Sequence, residues 1–200
     1  MPSIHFDDSN TRLNLMRAFA GESQARNRYT FAAQLAADSR LRLVADVFRF
    51  TAAQEKEHAE VFYNLLAACA GQTIRIDGGY PVNLSMNVQE LLSAARHNET
   101  EEAEDVYPAF AAQARAEGFT RAADVFAAIA AVEKTHAERF GRYLRLSEND
   151  ALFSSGQDTA WLCLNCGHIH TGSEAPALCP VCRHDQGNFI RADLTPFAGL

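Results

Sequence analysis

Two hundred residues with 48% apolar side chains suffice for one good core and a small appendage, and no apolar stretch approaches the about eighteen residues that a membrane span requires, the longest being Val125 to Val132. The formal charge of −7 comes without any basic stripe interleaved with aromatics, which argues against a nucleic-acid partner. The first residues lack a basic segment followed by an apolar core, so the expected location is cytoplasmic, and five cysteines, four of them in two C-x-x-C pairs, suit metal binding in a reducing compartment better than disulfides.

Residues 1–9 read as an extended arm, with Asp8, Ser9 and Asn10 each able to cap a helix. A first helix then runs to about residue 38, its inner face marked by Leu15, Ala18, Glu22, Ala25, Tyr29, Ala32 and Ala36 in alternating steps of three and four. After a short break at Ser39 a second helix continues to residue 70, with Val44, Phe48, Thr51, Glu55, His58, Phe62, Leu65 and Cys69 in one stripe. Residues 71–86 contain Gly78, Gly79 and Pro81, break the helical period and are long enough to cross the length of a bundle. A third helix spans about 87–118, with Leu92, Ala95, Glu99, Glu102, Val106 and Phe110 along one side; Pro108 inside it should kink or locally widen a turn, and Gly118 ends it. The fourth, about 120–146, buries Phe126, Ile129, Glu133, His136, Phe140 and Tyr143.

The chemistry concentrates on a repeat. Glu55-Lys56-Glu57-His58 returns 78 residues later as Glu133-Lys134-Thr135-His136, and each Glu and His lies within an apolar stripe. A carboxylate there costs several kcal/mol unless neutralised, and metal ions are the strongest local neutraliser. Helices 1 and 3 add Glu22, Glu99 and Glu102 to the two Glu-x-x-His helices, which is the ligand pattern of ferritin-like di-iron and di-manganese four-helix bundles built from two helix pairs joined by a long crossover. Residues 1–157 carry 16 Lys and Arg against 21 Asp and Glu; set the five inward glutamates aside and the remaining charges cancel. Beyond a polar linker at 151–157, residues 158–200 hold Cys163, Cys166, Cys179 and Cys182, two knuckles separated by twelve residues, a tetrahedral four-thiolate site that zinc or iron would suit equally. So small a β/loop unit depends on its metal for folding. The division is thus 1–150 for the bundle and 158–200 for the metal-stapled domain.

Taken together, the run from Ala20-Gly21-Glu22-Ser23-Gln24 to Tyr29, Glu55 to His58, Glu99 and Glu102 before Tyr107-Pro108, Glu133 to His136 and the terminal knuckles resemble the rubrerythrins, in that family's order and over nearly the whole chain. The resemblance implies a rubredoxin-like carboxy-terminal domain holding one iron, two irons in the bundle, and reduction of hydrogen peroxide to water with electrons relayed from the four-cysteine iron to the di-iron centre. An electron-donor reductase or redox protein is then a partner, and the expected assembly is a homodimer in which the iron of one subunit serves the di-iron site of the other. By the same resemblance Glu55 and Glu133 bridge, Glu22 binds the first iron, Glu99 and His136 bind the second, and the first iron moves between Glu102 and His58 on redox change. Tyr29 and Tyr107 match tyrosines near the site, which points to hydrogen bonds with ligands or peroxide. The rivals are a ferroxidase or iron-handling bundle, which has no need of the four cysteines, and a non-enzymatic module whose tail is stapled by zinc. His97 is expected at the surface or behind the ligands rather than among them, Cys69 in the packed core, and His168, His170 and His184 have no spacing that demands a metal role.

Overall fold

The computed structural model describes residues 4–195; residues 1–3 of the expected arm and 196–200 of the expected terminal domain lie outside them. Helix α1 (Asn10–Asp38) begins where Ser9 Oγ accepts from the Arg12 amide at 3.1 Å, which decides among the three possible caps. Its first amides have no helical carbonyl behind them, and Glu117, over a hundred residues away in sequence, accepts from Asn10 N at 3.0 Å and Thr11 N at 2.8 Å. The helix closes at Arg40, whose φ of 59° lets the Leu41 amide reach back to the Ala36 carbonyl at 2.9 Å. This tight reversal lays α2 (Arg42–Leu65) along α1. Helix α2 stops five residues short of the expected end and tightens into a 3-10 turn at Ala67–Cys69, where Cys69 is buried as expected.

Residues 70–86 cross the bundle with no helix or strand and are pinned by side chains instead. Asn83 Oδ1 accepts from Arg28 on α1 at 3.0 Å and from Asn98 of the second pair at 2.9 Å, while Arg17 pairs with Asp77 at 2.5 Å. Helix α3 (Val88–Glu101) follows, capped by Asn87 Oδ1, which accepts from Gln89 N at 2.8 Å. The expected single third helix is divided: a π turn at Glu102–Val106 separates α3 from α4 (Tyr107–Ala116). The cause is Pro108, which has no N–H to offer the preceding turn, so the chain widens there and accommodates one extra residue. That residue corrects the apolar stripe drawn through Val106, which is 36% exposed, and places Tyr107 in the core instead. Gly118, at φ 89°, ends α4 and leads into α5 (Thr120–Glu148), which packs against α3 and α4.

Two apolar clusters fill the bundle. One gathers Tyr29, Phe48, Leu92 and Phe140 toward the Arg40 end, and the other gathers Leu15, Phe62, Tyr107 and Phe126 toward the opposite end. The buried carboxylates lie between them.

The small domain forms an antiparallel sheet in the order β2-β1-β3, from β1 (Ser154–Cys163), β2 (Ile169–Glu174) and β3 (Phe189–Arg191). Strand β1 starts inside the polar segment read as a linker, because Ser154 pairs with Glu174 through the backbone, which composition does not report. Trp161, Phe189 and Ala175 make its small core. The domain rests on the α1–α2 corner: a Cβ at Gly187 would collide with the Arg40 carbonyl, and Ile190 joins the bundle's apolar cluster. Among the described residues no helix is long and apolar enough to cross a membrane.

Candidate metal centres

Each helix delivers its ligand residues by periodicity alone. Glu22, Glu55, Glu99, Glu133 and His136 are at most 1% exposed, and the aromatic layers on either side keep water from them. Two four-residue sets result, Glu22 with Glu55, His58 and Glu133, and Glu99 with Glu55, Glu133 and His136; within each, the ligand atoms lie within 4.8 Å of one another. Glu55 and Glu133 belong to both. Glu133 turns Oε1 toward His58 Nδ1 at 2.9 Å and Oε2 toward His136 Nδ1 at 2.7 Å, while Glu55 turns Oε2 toward His58 at 3.1 Å and Oε1 toward His136 at 3.0 Å. One oxygen per side from each of two carboxylates is the disposition required to bridge two cations. The rings of His58 and His136 stack 17° from parallel with centroids 5.6 Å apart.

Close as they are, Glu22 Oε2, Glu55 Oε1, Glu99 Oε2, both oxygens of Glu133 and His136 Nδ1 make no aligned hydrogen bond among the described residues. Their lone pairs converge on shared space rather than on donors, an expensive arrangement for buried polar atoms unless cations fill it. The remaining carboxylate oxygens are satisfied: the Tyr29 hydroxyl donates to Glu99 and the Tyr107 hydroxyl to Glu22. The donor set of carboxylates and imidazoles therefore fits two divalent or trivalent ions.

Protonation tells the same story. Burial first, then the charges of neighbouring carboxylates, pushes Glu22 and Glu99 well above the ordinary carboxylate range and Glu102 up to about 8. Burial opposes charge on His58, but Glu133 and Glu55 outweigh it and bring the imidazole up to about 9; the same contest brings His136 to about 11. Burial would also raise Glu133, yet the two imidazoles beside it hold it down to about 2. Without metal, protons thus occupy part of the role of the cations.

Glu102 belongs to neither four-residue set, although its charge is felt by Glu22, Glu99 and both tyrosines. It opens the π turn and is only partly buried. His97 is an exposed partner of Glu101 at 3.6 Å. The periodicity passed over Gln54 and Arg139. Gln54 Oε1 accepts from Arg139 at 3.0 Å and lies 3.1 Å from His136 Nε2, which directs the Nδ1 of His136 to the carboxylates. Gln54 lies three residues after Thr51, and Arg139 three residues after His136, a signal that was present in the spacing but carried no apolar mark.

In the small domain Cys163, Cys166, Cys179 and Cys182 converge within 4.8 Å. The Sγ separations of 3.7 Å for Cys163 and Cys182 and 3.6 Å for Cys166 and Cys179 match the edge of a tetrahedron with metal–sulfur bonds of about 2.3 Å. The two loops repeat each other: Gly167 and Arg183, each four residues after the first cysteine of its pair, both adopt positive φ and return an amide to that cysteine's carbonyl, at 2.9 and 3.0 Å. A backbone amide at His184 is the foremost cause holding the Cys182 thiol down to about 5. His168, His170 and His184 join no metal-ligating group among the described residues.

Two family models match the chain, "Rubrerythrin" over residues 14–144 and "Rubrerythrin, rubredoxin-like domain" over residues 161–190. A rubrerythrin of Porphyromonas gingivalis is 44% identical over 181 residues, covering 90% of this chain and 89% of that protein, and one of Nitratidesulfovibrio vulgaris is 39% identical, covering 90% and 93%. A solved structure of nigerythrin in its fully reduced, all-ferrous state shares 31% identity with a TM-score of 0.62 and covers 92% of this chain and 90% of that one. Symerythrin from Cyanophora paradoxa, at 21% identity and a TM-score of 0.60, shares the fold over 74% of this chain.

Proposed function

Because the chain belongs to the rubrerythrin family, with a carboxylate and histidine di-iron site and a four-cysteine rubredoxin-like site, we propose that it is a peroxidase that reduces hydrogen peroxide to water with electrons arriving through the four-cysteine iron. The observation that supports this reading most is the double set of ligands sharing Glu55 and Glu133, fused to a thiolate site that a mere iron store does not need. When bound, an iron pair supplies two electrons for cleaving the O–O bond of one peroxide, which with two protons gives two waters.

The side chains then have these roles. Glu55 and Glu133, common to both sets, would hold both ions, Glu22 would complete the first set, and Glu99 with His136 would complete the second. Tyr29 and Tyr107 donate to Glu99 and Glu22 and so fix the direction of those carboxylates from opposite sides. We assign His58 and Glu102 as alternative ligands to the first ion. Gln54 and Arg139 anchor His136, whereas no such anchor is found for the far nitrogen of His58 among the described residues, and Glu102 stands at the widened turn where a backbone can yield. Phe48, Phe62, Phe126 and Phe140, all 0% exposed, exclude water from the reaction space.

The division of labour follows residues 1–150 and 158–200. Glu55 lies thirteen residues past the start of α2, roughly 20 Å from the corner on which the small domain sits. That span favours electron delivery between the subunits of a homodimer, with a reductase or redox protein as the ultimate donor.

The test is metal analysis of anaerobically purified protein combined with peroxide consumption under a supplied reductant. The expected result is iron in both sites, a visible ferric-thiolate band that bleaches on reduction, and peroxide consumed in proportion to electrons supplied. Zinc in the thiolate site of protein from iron-replete cells, or ferrous protein oxidised no faster by peroxide than by dioxygen, would overturn it.

A further inference from the structure

Residues 78–81 of the crossover roof a cavity of about 220 Å³ that adjoins the metal centre through Tyr107 and Glu102. Arg17 holds the roof down: its Nε donates to the Asp77 carbonyl at 3.1 Å, its Nη2 pairs with Asp77 Oδ1 at 2.5 Å, and Tyr80 donates its hydroxyl to the Arg17 carbonyl at 3.2 Å. The Tyr80 ring lies over Gly21 of α1, where a Cβ would stand in ordinary contact with it at 3.8 Å.

The walls select by charge. Glu101 and Glu102 line the cavity, and the one cation on its wall, Arg17, spends its donors on Asp77 and on Asn14, at 2.7 Å. Among the described lining residues an anion therefore meets two acidic side chains and a guanidinium already paired with Asp77, whereas a neutral polar molecule meets Gln24. Gln24 lines the cavity, and its Nε2 is buried with no hydrogen-bond partner among the described residues. A primary amide both donates and accepts, as does a hydroperoxide, so the two match whichever way the amide is turned. At about 30 Å³ per water-sized molecule, the volume takes hydrogen peroxide with water around it, whereas an aromatic hydroperoxide would have to fill the cavity and press against Tyr80 and Pro81.

We propose that this cavity binds a small, uncharged hydroperoxide on its way to the metal ligands, with Gln24 as the residue that holds it and the roof at residues 78–81 as the limit on its size. The proposal rests on the peroxidase reading above. It is tested on the full-length, iron-loaded, reduced protein by the second-order rate of oxidation with hydrogen peroxide and with cumene hydroperoxide. Gln24→Leu is expected to slow oxidation by hydrogen peroxide at least tenfold with iron content and thiolate spectrum unchanged, and Gln24→Asn, which keeps the amide, to restore part of the loss. Tyr80→Ala is expected to lower the preference for hydrogen peroxide over cumene hydroperoxide at least tenfold. In redox-inert protein carrying zinc in place of iron, hydrogen peroxide is expected to shift the Gln24 side-chain amide resonance saturably. Unchanged rates in Gln24→Leu, an unchanged preference in Tyr80→Ala, or an amide resonance indifferent to peroxide would overturn the proposal. Wild-type protein that reacts with neither hydroperoxide would instead overturn the peroxidase reading itself.

Discussion

The two helix pairs carry matching ligand sets, and they differ beside the metal centre. Glu22, Glu55, His58 and Tyr29 of the first pair correspond to Glu99, Glu133, His136 and Tyr107 of the second, and each tyrosine reaches across to the other pair's terminal glutamate. Seven residues separate Glu22 from Tyr29, but eight separate Glu99 from Tyr107. The additional residue is the π turn, and it comes with a fifth acidic side chain, Glu102, that has no counterpart ligand in α1. The histidines differ as well: Gln54 anchors His136 and nothing comparable holds His58 among the described residues. A duplicated scaffold thus supplies two four-residue ligand sets, and under the proposed exchange of ligands a single insertion would make one ion position adjustable.

The largest effect is expected from breaking what the halves share. Glu133→Ala removes an oxygen from both sets, so iron in the bundle should fall from two per chain to near none while the four-cysteine iron stays as an internal standard. Glu22→Ala touches one set and should leave about one; equal losses in the two variants, read by metal analysis, would contradict the bridging assignment. Next comes the insertion itself. Deleting Ala103 together with Pro108→Ala should restore a continuous α-helix and make the halves alike, with peroxide turnover falling at least tenfold while both irons are retained, as measured by steady-state kinetics alongside iron content.

A third measurement concerns protons. In the metal-free protein Glu102 is raised to about 8 and His58 to about 9, so their folded-state pKa values exceed the ordinary ones. Groups raised in this way stabilise the fold fully below their unfolded pKa and lose that contribution as pH climbs through the folded value. Thermal unfolding of metal-free protein should therefore occur at lower temperature as pH is taken from 5 to 9, with little change in the iron-loaded form. Glu133, held down to about 2, acts oppositely and gives way only in acid. The smallest effect compares the tyrosines: Tyr29→Phe and Tyr107→Phe should each cost about 1–2 kcal/mol in denaturant unfolding of the metal-free protein, and a clear inequality between them would show that the halves are less alike than their contacts.

Much of this was legible in the sequence because burial imposes a period. Glu22, Glu55, Glu99, Glu133 and His136 stood in stripes of apolar residues, and those stripes became the interior; the paired C-x-x-C knuckles likewise became the four-thiolate cluster. Pro108 announced a local defect, but not that the defect would insert a residue and turn Val106 outward in favour of Tyr107. What escaped was written in polar side chains. Gln54 and Arg139 carry no apolar signature, Ser154 enters its strand through backbone pairing, and Glu117 caps a helix a hundred residues away. The seat of Gly187 on Arg40 depends on two loops meeting, which no local pattern encodes.

The stacked imidazoles between Glu55 and Glu133 also bear on the order of events when the protein is made. Because the imidazoles can hold hydrogen ions among the carboxylates, part of the acidic layer would be balanced with no iron at hand, and the bundle could close around its aromatic rings before any metal arrives. For the bundle, maturation would then be an exchange of light charges for heavy ones inside a finished vessel, whereas the four-cysteine domain would still fold around its metal.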